Sequence, residues 1–124
     1  MRILLLGDIC GPAGMKIVQS KLSEIIKEKK IDFTIANGEN AAENGKGITK
    51  KNFKDLMHSG VDVVTTGNHI WDQKEILEII DKEKKLIRPA NLLEGQPGNG
   101  FGIYEIKNQK IAVINLIGNV FMKK

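Results

Sequence analysis

Cysteine, histidine and aromatic residues are scarce in this sequence. Its 124 residues include one cysteine, Cys10, and two histidines, His58 and His69. A single cysteine excludes a disulfide within the chain and fits the reducing cytosol, so we expect a cytoplasmic protein. Aromatic residues make up 5% of the chain and none lies between the lysines, so the net charge of +4 indicates a solvated surface and not a nucleic-acid groove. We therefore expect no DNA partner.

Long apolar runs are also lacking. No segment approaches the roughly 20 apolar residues that a helix needs to span a membrane. The apolar run at residues 3–6 is too short for a signal sequence and leads directly into Gly7-Asp8. These features predict no membrane partner. The hydrophobic content of 41% suffices for one core, which predicts a single domain over residues 1–124.

Short apolar runs alternate with segments of helical periodicity. The runs predict strands at 2–7, 31–36, 61–66 and 86–91, and a hairpin of 102–107 and 110–116 around Asn108-Gln109. The periodic segments predict helices at 15–30, 50–59 and 73–83. This alternation predicts the α/β class, with a mainly parallel sheet, flanking helices and right-handed crossovers. The first strand is a continuous apolar run and is therefore expected to be buried.

Local signals mark where the predicted helices begin and end. The segment Gly11-Pro12-Ala13-Gly14 predicts a loop before the first helix. Thr49 is the predicted N-cap of the second helix and Gly60 its end, and Asp72 with Glu75 predicts a capping box for the third. The first helix is expected to bury Ile17, Val18, Leu22, Ile25 and Ile26.

Polar side chains follow three of the predicted strands. Gly7-Asp8 comes after the first, Gly38-Glu39-Asn40 after the second and Gly67-Asn68-His69 after the third. Ligands collect outside the carboxyl ends of parallel strands, so these side chains are expected to share one edge of the sheet. Two carboxylates, amide oxygens and an imidazole suit hard or borderline divalent metals, and one carboxylate can bridge two ions. The pattern therefore predicts a metal site at this edge.

Each of these residues also has an ordinary structural interpretation. Asp8 could cap a turn or a helix, Glu39 and Asn40 could lie in a surface loop, and Asn68 could form a turn. His69 alone could be an ordinary core or surface histidine. Their shared position favours the metal site, because each group follows a strand and the glycines let the backbone approach a ligand closely.

In order and spacing, the three groups resemble the first three blocks of the calcineurin-like metallophosphoesterases, and in particular the bacterial YmdB-type branch. The resemblance extends from Met1 to about Met122. It rests on Ala36-Asn37-Gly38-Glu39-Asn40-Ala41-Ala42, Lys46-Gly47-Ile48-Thr49, Gly67-Asn68-His69-Ile70-Trp71-Asp72 and Arg88-Pro89-Ala90-Asn91. The resemblance implies half of a metallophosphoesterase αββα sandwich. It also implies an enzyme that hydrolyses 2',3'-cyclic nucleotides or related phosphate esters.

The same resemblance implies a role for each site residue. Asp8 would bind the first of two divalent metal ions, Glu39 would bridge both, and Asn40 and Asn68 would bind the second. His69 would be the general acid that protonates the leaving oxygen after attack by a metal-bound hydroxide. Iron or manganese would be the expected metals, with zinc as the alternative.

The chain departs from the family pattern at two points. Cys10 stands where most of the superfamily has a histidine ligand, and we expect a packed thiol there. Members of the branch are also longer, and their second half supplies a lone histidine and a His-x-His block. The chain therefore resembles the N-terminal half of the enzyme. We expect it to form a homo-oligomer or to associate with the missing C-terminal half.

Two other classes of protein remain as alternatives. The first is a non-catalytic metal- or nucleotide-binding half-domain that needs a partner chain. The second is a dinucleotide-binding fold, but residues 7–14 lack the Gly-x-Gly-x-x-Gly spacing and place an acid where a pyrophosphate would sit.

Overall fold

The fold combines one parallel sheet with one antiparallel hairpin. The computed structural model describes residues 1–122. Its elements are β1 (Ile3–Asp8), α1 (Gly11–Lys29), β2 (Phe33–Asn37), α2 (Lys50–Ser59), β3 (Val63–Thr65), a 3-10 helix (Lys74–Glu78), β4 (Leu86–Ile87), β5 (Phe101–Ile106) and β6 (Gln109–Ile114). Strands β1 to β4 pair in that order and run parallel, whereas β5 and β6 pair antiparallel. The predicted α/β class with a mainly parallel sheet is confirmed.

Two apolar cores lie on opposite faces of the parallel sheet. On one face, Leu22 of α1 and Leu56 of α2 belong to the same buried cluster as Val64 of the sheet. On the other face, Val113 of β6 packs in a cluster with Val63. Side chains alternate along a strand, so neighbouring residues of β3 serve different cores. The sheet therefore lies between a helical layer and the hairpin.

Helix α2 begins and ends where the sequence predicts. The Thr49 hydroxyl accepts a hydrogen bond from the Asn52 N–H, and Asn52 Oδ1 accepts one from the Thr49 N–H, each at 3.0 Å. This reciprocal pair is a capping box. Gly60 ends the helix with a φ of 112°, a conformation that glycine adopts without strain.

Helix α1 starts earlier than predicted. Pro12 lies in its first turn, where the missing N–H costs no intrahelical hydrogen bond, so residues 11–14 are helix and not loop. Met15 is buried, whereas Ile17 and Ile25 of the predicted apolar face are 65% and 37% exposed. Ile17 follows Met15 by two residues and so points to nearly the opposite side of the helix. Neither this helix nor any other in residues 1–122 is long and apolar enough to cross a membrane.

The third predicted helix is wrong for most of its length. The structure has a 3-10 helix, Lys74–Glu78, followed by turns. Both residues of the predicted capping box, Asp72 and Glu75, bind partners outside the segment. The segment therefore has no side-chain cap at its start, but it still buries Ile76 and Ile80.

Strand β1 lies at the edge of the sheet and is not fully buried as predicted. Ile3 and Leu5 are 47% and 71% exposed, because the hairpin packs on the neighbouring strands and does not extend over this one. The hairpin itself exposes four large apolar side chains on the side that faces away from the sheet. We call Phe101, Ile103, Ile114 and Leu116 the outer hairpin face.

The hairpin turns at Lys107-Asn108, one residue before the predicted turn. These residues have φ values of 47° and 62°, as a two-residue type I′ turn requires. The Lys107 ammonium pairs with the Asp32 carboxylate, which also accepts a hydrogen bond from the Arg2 N–H at 2.7 Å. These two contacts lower the pKa of Asp32. They also tie the turn to the start of β2.

Candidate metal centre

The predicted site residues all lie at the carboxyl edge of the parallel sheet. Asp8 is the last residue of β1, Glu39 and Asn40 follow β2, and Asn68 and His69 follow β3. The pairing register of β1 with β2 shifts between Leu6 and Asp8, as at a β-bulge. Bulges re-aim the side chains beside them, and they recur next to functional sites.

Asp8 is held by two neighbouring side chains. Asn40 Nδ2 donates to both carboxylate oxygens of Asp8, at 3.1 and 2.9 Å, although 32 residues separate the two in the chain. The Cys10 thiol donates to Asp8 Oδ2 at 3.3 Å. The first two strand ends are therefore in direct contact through ligand-type side chains.

Cys10 is exposed and is not the packed thiol that we predicted. It is the N-cap residue of α1, beyond the end of β1, and so lies outside the core. Its hydrogen bond to Asp8 raises the pKa of the thiol, as do partial loss of water and the charges of Asp8 and Glu39. The thiol therefore stays protonated near neutral pH and acts as a donor to Asp8.

The Glu39 carboxylate lies against Gly67. A Cβ added at Gly67 would come within 2.3 Å of Glu39 Oε2 and 2.4 Å of Glu39 Oε1, so only glycine leaves room for the carboxylate. Asn37 Nδ2 donates to Glu39 Oε1 at 3.3 Å, and Asn37 Oδ1 accepts the Glu39 N–H at 3.0 Å. The carboxylate is thus fixed between the ends of β2 and β3.

Two buried oxygen atoms at this edge have no partner. Glu39 Oε2 and Asn40 Oδ1 are inaccessible to water, and neither finds a hydrogen-bond donor within residues 1–122. Leaving a buried polar atom unpaired costs roughly 1–3 kcal/mol, so such atoms in a native fold need an explanation, for example an ion. Carboxylate and amide oxygens are preferred ligands of hard divalent cations. The residues present therefore fit a bound metal ion.

His69 is oriented by Asp72. Its Nδ1 lies 2.9 Å from Asp72 Oδ2. An ionised carboxylate can only accept, so Nδ1 carries a proton and donates it, which leaves Nε2 for another partner. The neighbouring Asn68 side chain is exposed. In the described part of the chain, no hydrogen bond joins Asn68 or His69 to Asp8 or Glu39.

The second histidine lies elsewhere. His58 is exposed near the end of α2, which is antiparallel to the strands, and so it lies toward the opposite edge of the sheet. Residues 1–122 contain no group of three or more His, Cys, Asp or Glu side chains that could hold a metal ion. The predicted ligands at the edge are the carboxylates of Asp8 and Glu39 and the amides of Asn40 and Asn68, with the His69 imidazole following Asn68.

The sequence did not predict the positioning roles of two residues, Asn37 and Asp72. Asn37 forms an Asx turn with Glu39, and an asparagine two residues before a carboxylate at a strand end is the signal for such a turn. Asp72 is predicted as a helix cap but instead fixes His69. The His-x-x-Asp spacing puts two side chains on one side of a helical turn, which is the signal for this pair.

The fold and this edge define an α/β protein whose carboxylate and amide side chains gather at the ends of parallel strands. A family model described as YmdB-like protein matches residues 4–124, so the chain belongs to the YmdB-like family. The chain is 46% identical over 122 residues to a 2',3'-cyclic-nucleotide 2'-phosphodiesterase of Bacillus subtilis, which covers 98% of this chain and 46% of that protein. The resemblance inferred from the sequence is confirmed.

Two solved structures share the fold. A hypothetical protein of Thermus thermophilus superposes with a TM-score of 0.93 at 37% identity, covering 100% of this chain and 48% of that one. A novel phosphatase of Mycoplasma pneumoniae superposes with a TM-score of 0.86 at 35% identity, covering 94% of this chain and 43% of that one. The chain thus spans about half the length of the relatives that it matches.

Proposed function

We propose that this chain supplies the N-terminal part of a phosphodiesterase active site, which hydrolyses 2',3'-cyclic nucleotides or related phosphate esters with the help of two divalent metal ions. The observation that carries the proposal is the Glu39 carboxylate, which is pressed against Gly67 and has a buried oxygen without a partner. The similarity to a cyclic-nucleotide phosphodiesterase supports the substrate class.

Four side chains would hold the metals. Asp8 would bind the first ion, Glu39 would bridge both, and Asn40 and Asn68 would bind the second. Oxygen ligands favour manganese, and iron or zinc suits a site completed by histidines. When bound, the ions supply Lewis-acid chemistry, lowering the pKa of water and offsetting the negative charge of the phosphate.

In both Asn40 and Glu39, one polar side-chain atom makes hydrogen bonds and the other has no partner in the described residues. Asn40 Nδ2 holds the Asp8 carboxylate, which leaves Oδ1 for a cation. Glu39 uses Oε1 to accept from Asn37 and keeps Oε2 without a partner. Each ligand oxygen is therefore oriented by hydrogen bonds made elsewhere on the same side chain or on its neighbour, as is usual for metal ligands in proteins.

His69 would act as the general acid. Its Nδ1–H donates to Asp72, which fixes the plane of the ring. Nε2 can then carry a proton to the departing ribose oxygen. Because neither ring nitrogen is needed as a metal ligand in this arrangement, the proton remains available.

A non-catalytic half-domain is the second candidate. One observation favours it: within residues 1–122, no group of three or more His, Cys, Asp or Glu side chains could hold a metal ion. In this case the chain would bind a metal or nucleotide only together with a partner chain.

Calorimetry with Mn²⁺ tests the metal site. The wild type should bind weakly, since only part of the ligand set is present, and the double variant Asp8→Ala, Glu39→Ala should not bind. Glu43→Ala is the matched control, because Glu43 is an exposed carboxylate in the same loop region. Equal heats of Mn²⁺ binding for the wild type and the double variant would contradict the proposal.

A further inference from the structure

A groove of about 410 Å³ adjoins the candidate metal centre. Two segments line it, and we call them its walls: the first wall contains Leu92 and Leu93, and the second contains Ile117 and Met122. Asn68, a predicted site residue, also lines the groove. We call this the Leu92–Ile117 groove. Its volume lies in the range of small-molecule sites, roughly 300–1,000 Å³.

Hydrogen bonds fix the two walls relative to each other. Asn91 Nδ2 donates to the Ile117 carbonyl at 2.7 Å, and Asn91 Oδ1 accepts the Ile117 N–H at 2.9 Å. Asn115 is buried, and its Nδ2 donates to the Thr66 carbonyl at 2.8 Å. The second wall is therefore anchored both to the first wall and to the end of β3, so the groove is formed before any ligand arrives.

The lining is neutral and amphipathic. In the part of the chain that the structure describes, the groove is lined only by leucine, isoleucine, methionine, asparagine and glycine. Among the described lining residues none is charged, so they offer no ion pair to a second phosphate. Aliphatic walls suit the faces of a planar ring, and the amide of Asn119 can donate and accept at its edge.

We propose that the Leu92–Ile117 groove binds the nucleobase of a nucleotide. The position of the phosphate in this inference rests on the proposed function. Asn68 directly follows Gly67, where an added Cβ would lie 2.3 Å from Glu39 Oε2. A nucleotide with its phosphate at the metal centre has its base in the groove. The aliphatic walls contact any base through its faces. The groove therefore discriminates nucleotides from simple phosphate esters, but it discriminates little between one base and another.

Adenosine is the probe, because it has a base and no phosphate. Equilibrium dialysis measures its binding to the full chain without metal, at concentrations up to about 10 mM, since a small ligand in an open groove binds weakly. Gly118 lines the groove, and a Cβ added there meets no atom within 4 Å. Gly118→Val therefore enters open space, and it should weaken adenosine binding by at least about tenfold. Leu93→Ser should also weaken binding, because it removes one of the two leucines of the first wall.

Two controls separate this inference from the metal site. Ala112→Val adds bulk on the exposed side of β6, far from the groove, and should bind adenosine like the wild type. Asp8→Ala should also retain adenosine binding. The proposed base site would be contradicted, even if Mn²⁺ binds, by an absence of saturable adenosine binding. It would also be contradicted if Gly118→Val and Leu93→Ser bound adenosine as tightly as the wild type. If Mn²⁺ fails to bind while adenosine binding follows the expected pattern, the proposed metal chemistry fails and the base site stands.

Discussion

Replacing Gly67 by alanine should disable the metal site without unfolding the protein. The added Cβ would lie 2.3 Å from Glu39 Oε2, whereas real Cβ contacts essentially never fall below 3.0 Å. The carboxylate must therefore move by about 0.7 Å or more. Metal–oxygen distances tolerate only about 0.2 Å of change, so the displaced carboxylate could no longer share the proposed ion with its neighbours.

The expected loss of affinity follows from this displacement. Disturbing groups that merely orient a metal ligand costs roughly 10–100-fold in affinity, and Gly67→Ala moves the proposed ligand itself, so at least that loss is expected. Gly7→Ala is the matched control, because a Cβ there meets nothing within 4 Å and the residue has no left-handed backbone. The control should change the affinity by less than about twofold.

Mn²⁺ binding by electron paramagnetic resonance measures this difference, with circular dichroism to show that both variants fold. Both substitutions exchange glycine for alanine, so their effects on the unfolded chain are similar. If Gly67→Ala and Gly7→Ala bind Mn²⁺ with the same affinity as the wild type, the placement of Glu39 has nothing to do with metal binding.

Three further outcomes are expected. In an active assembly that contains this chain, His69→Ala should lower turnover of 2',3'-cyclic AMP by roughly 10²- to 10⁴-fold with unchanged metal content; loss of the metal would make His69 a ligand instead. The isolated wild type should be a dimer or larger species with little activity, and Ile103→Glu on the outer hairpin face should shift it toward the monomer in light scattering; a monomeric, fully active wild type would contradict this. Because pairing with Lys107 lowers the pKa of Asp32 below 3.8, its stabilisation is complete above that pH and is lost as the pH falls through the lowered value. Asp32→Asn should therefore lower the melting temperature at neutral pH and have a shrinking effect in acid, whereas a constant difference would refute the contribution of this charge.

The sequence was most informative where local chemistry decides the structure. Helix α2 begins after Thr49 and ends before Gly60 as predicted, because the N-cap hydrogen bond and the left-handed glycine depend only on neighbouring residues. The shared position of Asp8, Glu39 and Asn68 at one edge was also predictable, since parallel topology alone brings strand ends together. In contrast, Asp72 and Glu75 look like a capping box but bind residues outside their segment, and local pattern cannot reveal such a competition.

Burial was harder to predict than secondary structure. An apolar run such as residues 3–6 shows that a strand can be buried, but not which layer covers it. The hairpin packs over β2 to β4 and leaves Ile3 and Leu5 exposed. Cys10 is a similar case, because its exposure depends on where β1 stops relative to α1.

The hydrogen bond from Asn115 to the Thr66 carbonyl also bears on the order of folding. The two residues are 49 positions apart, and Thr66 directly precedes Gly67. Contacts of such long sequence separation form late, because the loop between them must close first. We infer that the carboxyl edge of the parallel sheet is completed only when the last strand packs on it. Asn115→Ala should therefore speed unfolding and leave the folding rate nearly unchanged in stopped-flow measurements. Formation of the C-terminal hairpin therefore determines when the candidate site is complete, although the site residues themselves lie earlier in the chain.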